Sequence, residues 1–88
     1  MVYALDCEMV SVFWPGSKKF KSVAARVSMV DSSGVIVIDE YCQPPHKVYS
    51  YNTEYSGITP DHLIGKMPYS ELRSIVSGLI EVCCFNLL

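Results

Sequence analysis

Three largely apolar runs, Val2–Val10, Val23–Asp31 and Val35–Tyr41, the last rich in Val and Ile, follow one another with only turn-forming segments between them. β-Branched and aromatic residues suit a pleated, half-buried surface, so each run reads as a strand. Phe13-Trp14-Pro15-Gly16-Ser17 reads as a turn, because Pro fixes φ and Gly relieves the bend. Ser32-Ser33-Gly34 reads as a tight connection. Three sequential strands joined this way make an antiparallel meander. Gln43-Pro44-Pro45-His46 ends the pairing, since two prolines remove two ladder donors.

The second half of the chain changes character. After an extended stretch, Thr59-Pro60-Asp61-His62-Leu63 reads as a helix start. Thr59 is a capping residue, Pro60 fits the first helical position, and Asp61 suits the positive end of the helix dipole. Gly65 stops this short helix. A second helix is expected from about Pro68 to about Ile80, where Leu72, Ile75, Val76, Leu79 and Ile80 fall on one apolar stripe. Gly78 weakens it by roughly 1 kcal/mol relative to Ala without forbidding it. There is no internal repeat or low-complexity segment. Eighty-eight residues, half of them hydrophobic and 18% charged, bound one small folded domain rather than a disordered chain.

No apolar stretch reaches the roughly 18 residues that span a bilayer, and no signal-peptide pattern opens the chain. The expectation is a soluble, intracellular protein without membrane contact. Cys7, Cys42, Cys83 and Cys84 form no Cys-x-x-Cys pair and no zinc-like set with histidine, which suits reduced thiols. The net charge of −2 does not announce a nucleic-acid binder. Lys18-Lys19-Phe20-Lys21 is the one basic cluster, either a solvated hairpin tip or a group that steers a phosphate backbone.

Within the first run, Leu5-Asp6-Cys7-Glu8-Met9 places two carboxylates two positions apart. Residues i and i+2 of a strand share a face, so Asp6 and Glu8 project side by side while Cys7 faces the other way. Adjacent carboxylates repel and are costly beside a core unless a cation neutralises them. One reading is therefore a site for Mg²⁺ or Mn²⁺, which take hard oxygen ligands. The other is a plain solvent-facing strand on which both carboxylates meet water.

Three blocks bear on that choice: Leu5-Asp6-Cys7-Glu8-Met9-Val10, then Ala25-Arg26-Val27-Ser28, then Tyr51-Asn52-Thr53-x-Tyr55-Ser56-Gly57-Ile58-Thr59. In this order they resemble the DEDDh 3′→5′ exonucleases, in the branch of the interferon-stimulated 20 kDa exonuclease and the Rex-type RNA exonucleases. The resemblance runs from Val2 to about Val76. It implies an α/β fold of the ribonuclease H-like type, of which residues 1–88 form the N-terminal part of a single exonuclease domain: the three-stranded meander followed by two helices. It also implies 3′→5′ phosphodiester hydrolysis with two Mg²⁺ or Mn²⁺ ions, acting in RNA processing or decay on the 3′ end of single-stranded nucleic acid, RNA rather than DNA. The implied location is the nucleus or nucleolus, with the cytoplasm as the alternative.

Carried over position by position, the resemblance makes Asp6 and Glu8 the metal-holding catalytic carboxylates. It makes Met9, Asn52, Ser56, Gly57 and Ile58 the residues at the terminal nucleotide. Two positions depart from the pattern: Ser50 stands where such proteins have Asp, and Glu54 where Arg is common. An anion in place of a cation beside a phosphate groove weakens affinity. After the second helix, the segment Val82-Cys83-Cys84-Phe85-Asn86-Leu87-Leu88 stands where a further carboxylate motif is expected, and it holds no carboxylate. Asp31, Asp39, Asp61, His46 and His62 do not lie in matching contexts. Two other readings therefore stand beside the enzyme: a catalytically inactive truncated isoform or gene fragment, and a small β-meander interaction domain.

Overall fold

The computed structural model describes residues 3–16 and 18–83. The three expected strands form β1 (Tyr3–Phe13), β2 (Phe20–Asp31) and β3 (Ile36–Gln43), with β2 antiparallel to both of the others. β1 and β2 continue beyond the expected bounds, up to a cross-strand pair between Phe13 and Phe20. At the next turn the Asp31 carboxylate accepts the N–H groups of Ser33 (2.8 Å) and Val35 (3.0 Å), and Gly34 takes a φ of 83°. β3 ends at Gln43, just before the two prolines.

Three strands are too few. β4 (Val48–Ser50) pairs antiparallel with β1, and β5 (Met67–Pro68) pairs parallel with β3. The sheet is mixed and five-stranded, in the order β4-β1-β2-β3-β5. Strands of two or three residues carry no alternation to read, which is why the sequence concealed them. Pro68 is tolerated because an edge strand leaves its outward N–H position unused.

The helical half also differs from expectation. The stretch before Thr59 contains a four-residue helix, α1 (Thr53–Ser56), entered through Asn52 in the left-handed region at φ 52°. The helix expected at Thr59 is a single 3₁₀ turn, Pro60–Leu63, cut short where Ile64 returns to extended backbone. α2 (Tyr69–Cys83) is the one long helix, starting directly after β5. Its inner stripe holds Leu72, fully buried, with Val76 and Leu79 partly so. Ile75 does not belong to it and is 40% exposed, while the Ile80 side chain lies outside the described residues. No helix among the described residues is long and apolar enough to cross a membrane.

Each face of the sheet has its own core. Leu5 and Cys7 of β1, Val27 and Met29 of β2, and Ile38 and Cys42 of β3 pack under α2. On the other face, Val10, Val12, Val23 and Ala25 pack under Ile58 and Leu63, which come from α1's exit and the 3₁₀ turn. Val23, Ala25, Val27 and Met29 alternate in sequence as though they shared one face. The pairing shows why they do not: Glu8 opposes Arg26 but Met9 opposes Ala24, so Ala25 is an extra residue in β2. That bulge sends the two halves of the strand to opposite cores.

Candidate functional site

β1 itself stays in regular alternation through the bulge, so Asp6, Glu8, Val10 and Val12 all lie on one face. Val10 and Val12 are roofed by Ile58 and Leu63. Asp6 and Glu8 occupy the uncovered continuation of the same face, Asp6 exposed and Glu8 half-buried. Cys7 points to the other side, into the core beneath α2. Its thiol is held above the ordinary value, first by burial and then by the negative charges of Asp6 and Glu8.

The neighbouring strands extend this polar face. Ser28 lies across from Asp6 and Arg26 from Glu8, while on the far side Asp39 lies across from Ser28 and Tyr41 from Arg26. Arg26 is committed to Asp39 through a two-pronged pair, Nε to Oδ1 and Nη2 to Oδ2, both 3.0 Å. The Ser28 hydroxyl donates to the same carboxylate at 3.0 Å. These hydrogen bonds, that of Arg26 first, hold Asp39 below the usual carboxylate range, and the same pairing raises Arg26. The guanidinium also lies 5.2 Å from the Tyr41 ring centre. With its cation spoken for, this side of the face leaves Asp6 and Glu8 as the carboxylates beside the roofed half. Asp39 is two strands from Asp6, about 10 Å at ordinary strand spacing, so it stands apart from that pair.

Oxygen-only donors on adjacent same-face positions fit one side of a hard divalent-cation site. Among the described residues, no three of His, Cys, Asp and Glu gather closely enough to enclose a metal. The fit is that of a partial ligand set, two carboxylates that hold a cation from one side.

The 51–59 block is brought against the same face, and its expected site residues each have a structural task in the fold. Ile58 is 1% exposed and belongs to the core, so its side chain does not present a surface to a base. Ser56 donates to the Tyr51 carbonyl at 2.8 Å and accepts the Ile58 N–H at 2.9 Å, which folds the loop on itself. Gly57 takes a φ of 71° while its N–H donates to the Thr53 carbonyl, a turn that calls for glycine's freedom. Asn52 donates from its amide to the Ser11 hydroxyl at 3.1 Å and accepts from the Ser50 hydroxyl at 3.0 Å, tying α1 to β1. Ser50 is thus a partner for Asn52. Glu54 lies exposed in α1. Met9, 36% exposed, falls by alternation on the face opposite Asp6 and Glu8.

The sequence reading also assigned His46 to a surface loop and His62 to a helix. His46 packs edge-on against Trp14 with ring centres 4.6 Å apart, and His62 Nδ1 accepts the Thr59 N–H at 3.1 Å while its ring lies against Tyr41. The Arg26–Ser28–Asp39 lattice was missed. Its only trace in sequence is the polar alternation of Arg26 and Ser28, because the opposing register is not local information.

No protein-family model matches the chain. It is 50% identical over 78 residues to RNA exonuclease 4 of Mus musculus, which covers 89% of this chain and 17% of that protein. It is 40% identical over 78 residues to RNA exonuclease 4 of Mycosarcoma maydis, covering 89% and 20%. To the interferon-stimulated gene 20 kDa protein of Mus musculus it is 34% identical over 80 residues, covering 91% and 25%. The chain spans about a quarter or less of the length of these relatives.

Proposed function

We propose that this chain, a relative by sequence of a segment of the RNA exonuclease 4 and interferon-stimulated 20 kDa proteins, supplies the first metal-holding strand of a 3′→5′ exonuclease. In this reading it forms the N-terminal part of a single domain with a ribonuclease H-like fold, acting on the 3′ end of single-stranded nucleic acid, RNA in preference to DNA, in RNA processing or decay within the nucleus or nucleolus. One observation carries it: Asp6 and Glu8 share the open half of a sheet face whose other half is roofed by the 51–63 segment. A strand that merely faced water would not need two carboxylates at the border of a core.

Asp6 and Glu8 would hold Mg²⁺ or Mn²⁺, which when bound supplies an activated water and charge stabilisation at the scissile phosphate. The chain's own contribution is positional. β1 is held in register along its length by β2, and by β4 at Ser11 and Val12, so both carboxylates sit on a paired strand rather than a loop. Arg26, directly across from Glu8, spends its hydrogen bonds on Asp39, and its attraction to Glu8 is the weaker of the two. The loop braced by Ser56 and Asn52 walls one side of the face.

The test has two parts. Titration with Mn²⁺ is expected to broaden NMR signals around Asp6 and Glu8, and Asp6→Asn to abolish the effect; broadening centred on Asp31 or Asp61 would refute the assignment. A 5′-labelled single-stranded RNA is then followed on a denaturing gel. The 88-residue polypeptide by itself is expected not to trim, because two carboxylates do not enclose two ions. A polypeptide extended through the remainder of an exonuclease domain is expected to trim from the 3′ end and to stop on Asp6→Ala. If the extended form is also inert, the catalytically inactive alternative takes its place.

A further inference from the structure

The hairpin end of the sheet carries a surface that the metal-site reading does not use. Phe13 and Phe20 are the last pair before the β1–β2 turn, and Tyr49 of β4 lies beside them. They are 45%, 48% and 53% exposed. Phe20 and Tyr49 stack with ring centres 3.5 Å apart and planes 11° from parallel, and Phe13 meets both edge-on, at 5.2 and 5.5 Å. Three large rings, each about half exposed, form one aromatic cluster at the surface.

The charge around this cluster is one-sided. No Asp or Glu occurs between residues 9 and 30 or between 41 and 53, although the chain has nine. Four of its seven Lys and Arg residues, Lys18, Lys19, Lys21 and Lys47, fall at this end. The Lys47 carbonyl accepts the Phe13 N–H at 2.9 Å, which brings Lys47 to the aromatic strand end, while Lys21, paired with Val12, turns to the other face and lies 4.8 Å over the Trp14 ring. A net-negative molecule thus keeps one positive, aromatic end.

We propose that Phe13, Phe20 and Tyr49, with Lys18 and Lys47 around them, form a platform for single-stranded nucleic acid, bases on the rings and phosphates on the lysines. Stacking on aromatic side chains combined with a positive groove is how single strands are gripped without sequence preference. An anionic lipid surface would call for apolar groups that protrude. Here the rings lie against one another, and Trp14 is folded against His46 beneath Lys21. The choice of nucleic acid rests in part on the exonuclease reading. The platform is separate from Asp6 and Glu8 and would hold the body of a strand rather than its reacting end.

Binding of fluorescein-labelled oligo-adenylate RNA to the full chain is measured by anisotropy in EDTA, with a duplex of equal length and anionic phosphatidylserine vesicles as comparisons. The single strand is expected to bind best. Phe20→Ala with Tyr49→Ala should weaken it about tenfold or more, and Lys18→Glu with Lys47→Glu should weaken it and flatten its salt dependence. Should the aromatic variant lose its native circular dichroism, ring-proton shifts of Phe13, Phe20 and Tyr49 on titrating the unmodified chain replace it, and still rings would overturn the proposal. So would unchanged affinity in a folded aromatic variant, or tighter binding to vesicles than to RNA. A dimer that the aromatic variant dissolves without change in RNA affinity would also overturn it, making the occupant a second copy. EDTA leaves this binding intact, so failure of the metal site shows in the manganese titration and not here.

Discussion

Ile58 and Met9 were both expected at the substrate, yet the fold treats them oppositely. Ile58 is sealed between Val10, Val23 and Leu63, so Ile58→Ala removes buried methyl groups and leaves a cavity. It is expected to lower stability by about 2–5 kcal/mol in a urea titration, whereas Met9→Ala at an exposed site should cost well under that. Cys42 shows burial acting on a titration. Burial pushes the Cys42 thiol up to about 11, from an ordinary 9.0. Because the folded state holds this proton more tightly than the unfolded chain, the resulting stabilisation is fully present below about pH 9 and is lost as pH rises through about 11. Alkaline unfolding should therefore shift upward in Cys42→Val, which has no proton to lose. Iodoacetamide should label Cys42 far more slowly in the native than in the urea-unfolded protein.

β2 is the element on which the architecture turns. Its single extra residue, Ala25, lets Val23 face the core under Ile58 while Val27 and Met29 face α2. Deleting Ala25 would make β2 regular and force one half of it onto the wrong face, since a one-residue slip exchanges every inward side chain for an outward one. The deletion is expected to abolish cooperative melting, while Ala25→Ser, which keeps the residue count, retains it. The same bulge positions Arg26 opposite Glu8, so the deletion should also dissolve the Arg26–Asp39 pair. That pair's stabilising effect, small at an exposed site, is present above the ordinary carboxylate range and fades as pH falls through the lowered Asp39 value.

Taken together, these elements leave both edges of the sheet partly open among the described residues, β1 below Ser11 on one side and most of β3 on the other. β5 pairs only with Cys42 and Gln43, so the outer edge of β3 from Ile36 to Tyr41 has no strand beside it among the described residues. Val35, Ile36 and Val37 at that edge are exposed. An apolar, unpaired edge invites strand addition from another molecule. The isolated 88-residue chain is expected to associate in a concentration-dependent way in sedimentation velocity. Ile36→Lys should restore the monomer, as charge on an edge strand opposes pairing. A sharp, concentration-independent melt of the unmodified chain would show that the edge is harmless.

Much of this was legible in the residues. The apolar runs became β1, β2 and β3, the paired prolines marked the end of β3, and Leu72, Val76 and Leu79 became the inner stripe of α2. The period of two placed Asp6 and Glu8 on one face and Cys7 on the other. Such features depend on backbone preferences and on neighbours a few positions away, which a single chain displays directly. The five-stranded extent of the sheet, the bulge at Ala25, the burial of Ile58 and the commitment of Arg26 to Asp39 belong to the tertiary structure alone. Each depends on which residue, thirteen or forty positions away, arrives on the opposing strand or roof, and register of that kind is decided by packing the whole set of contacts at once.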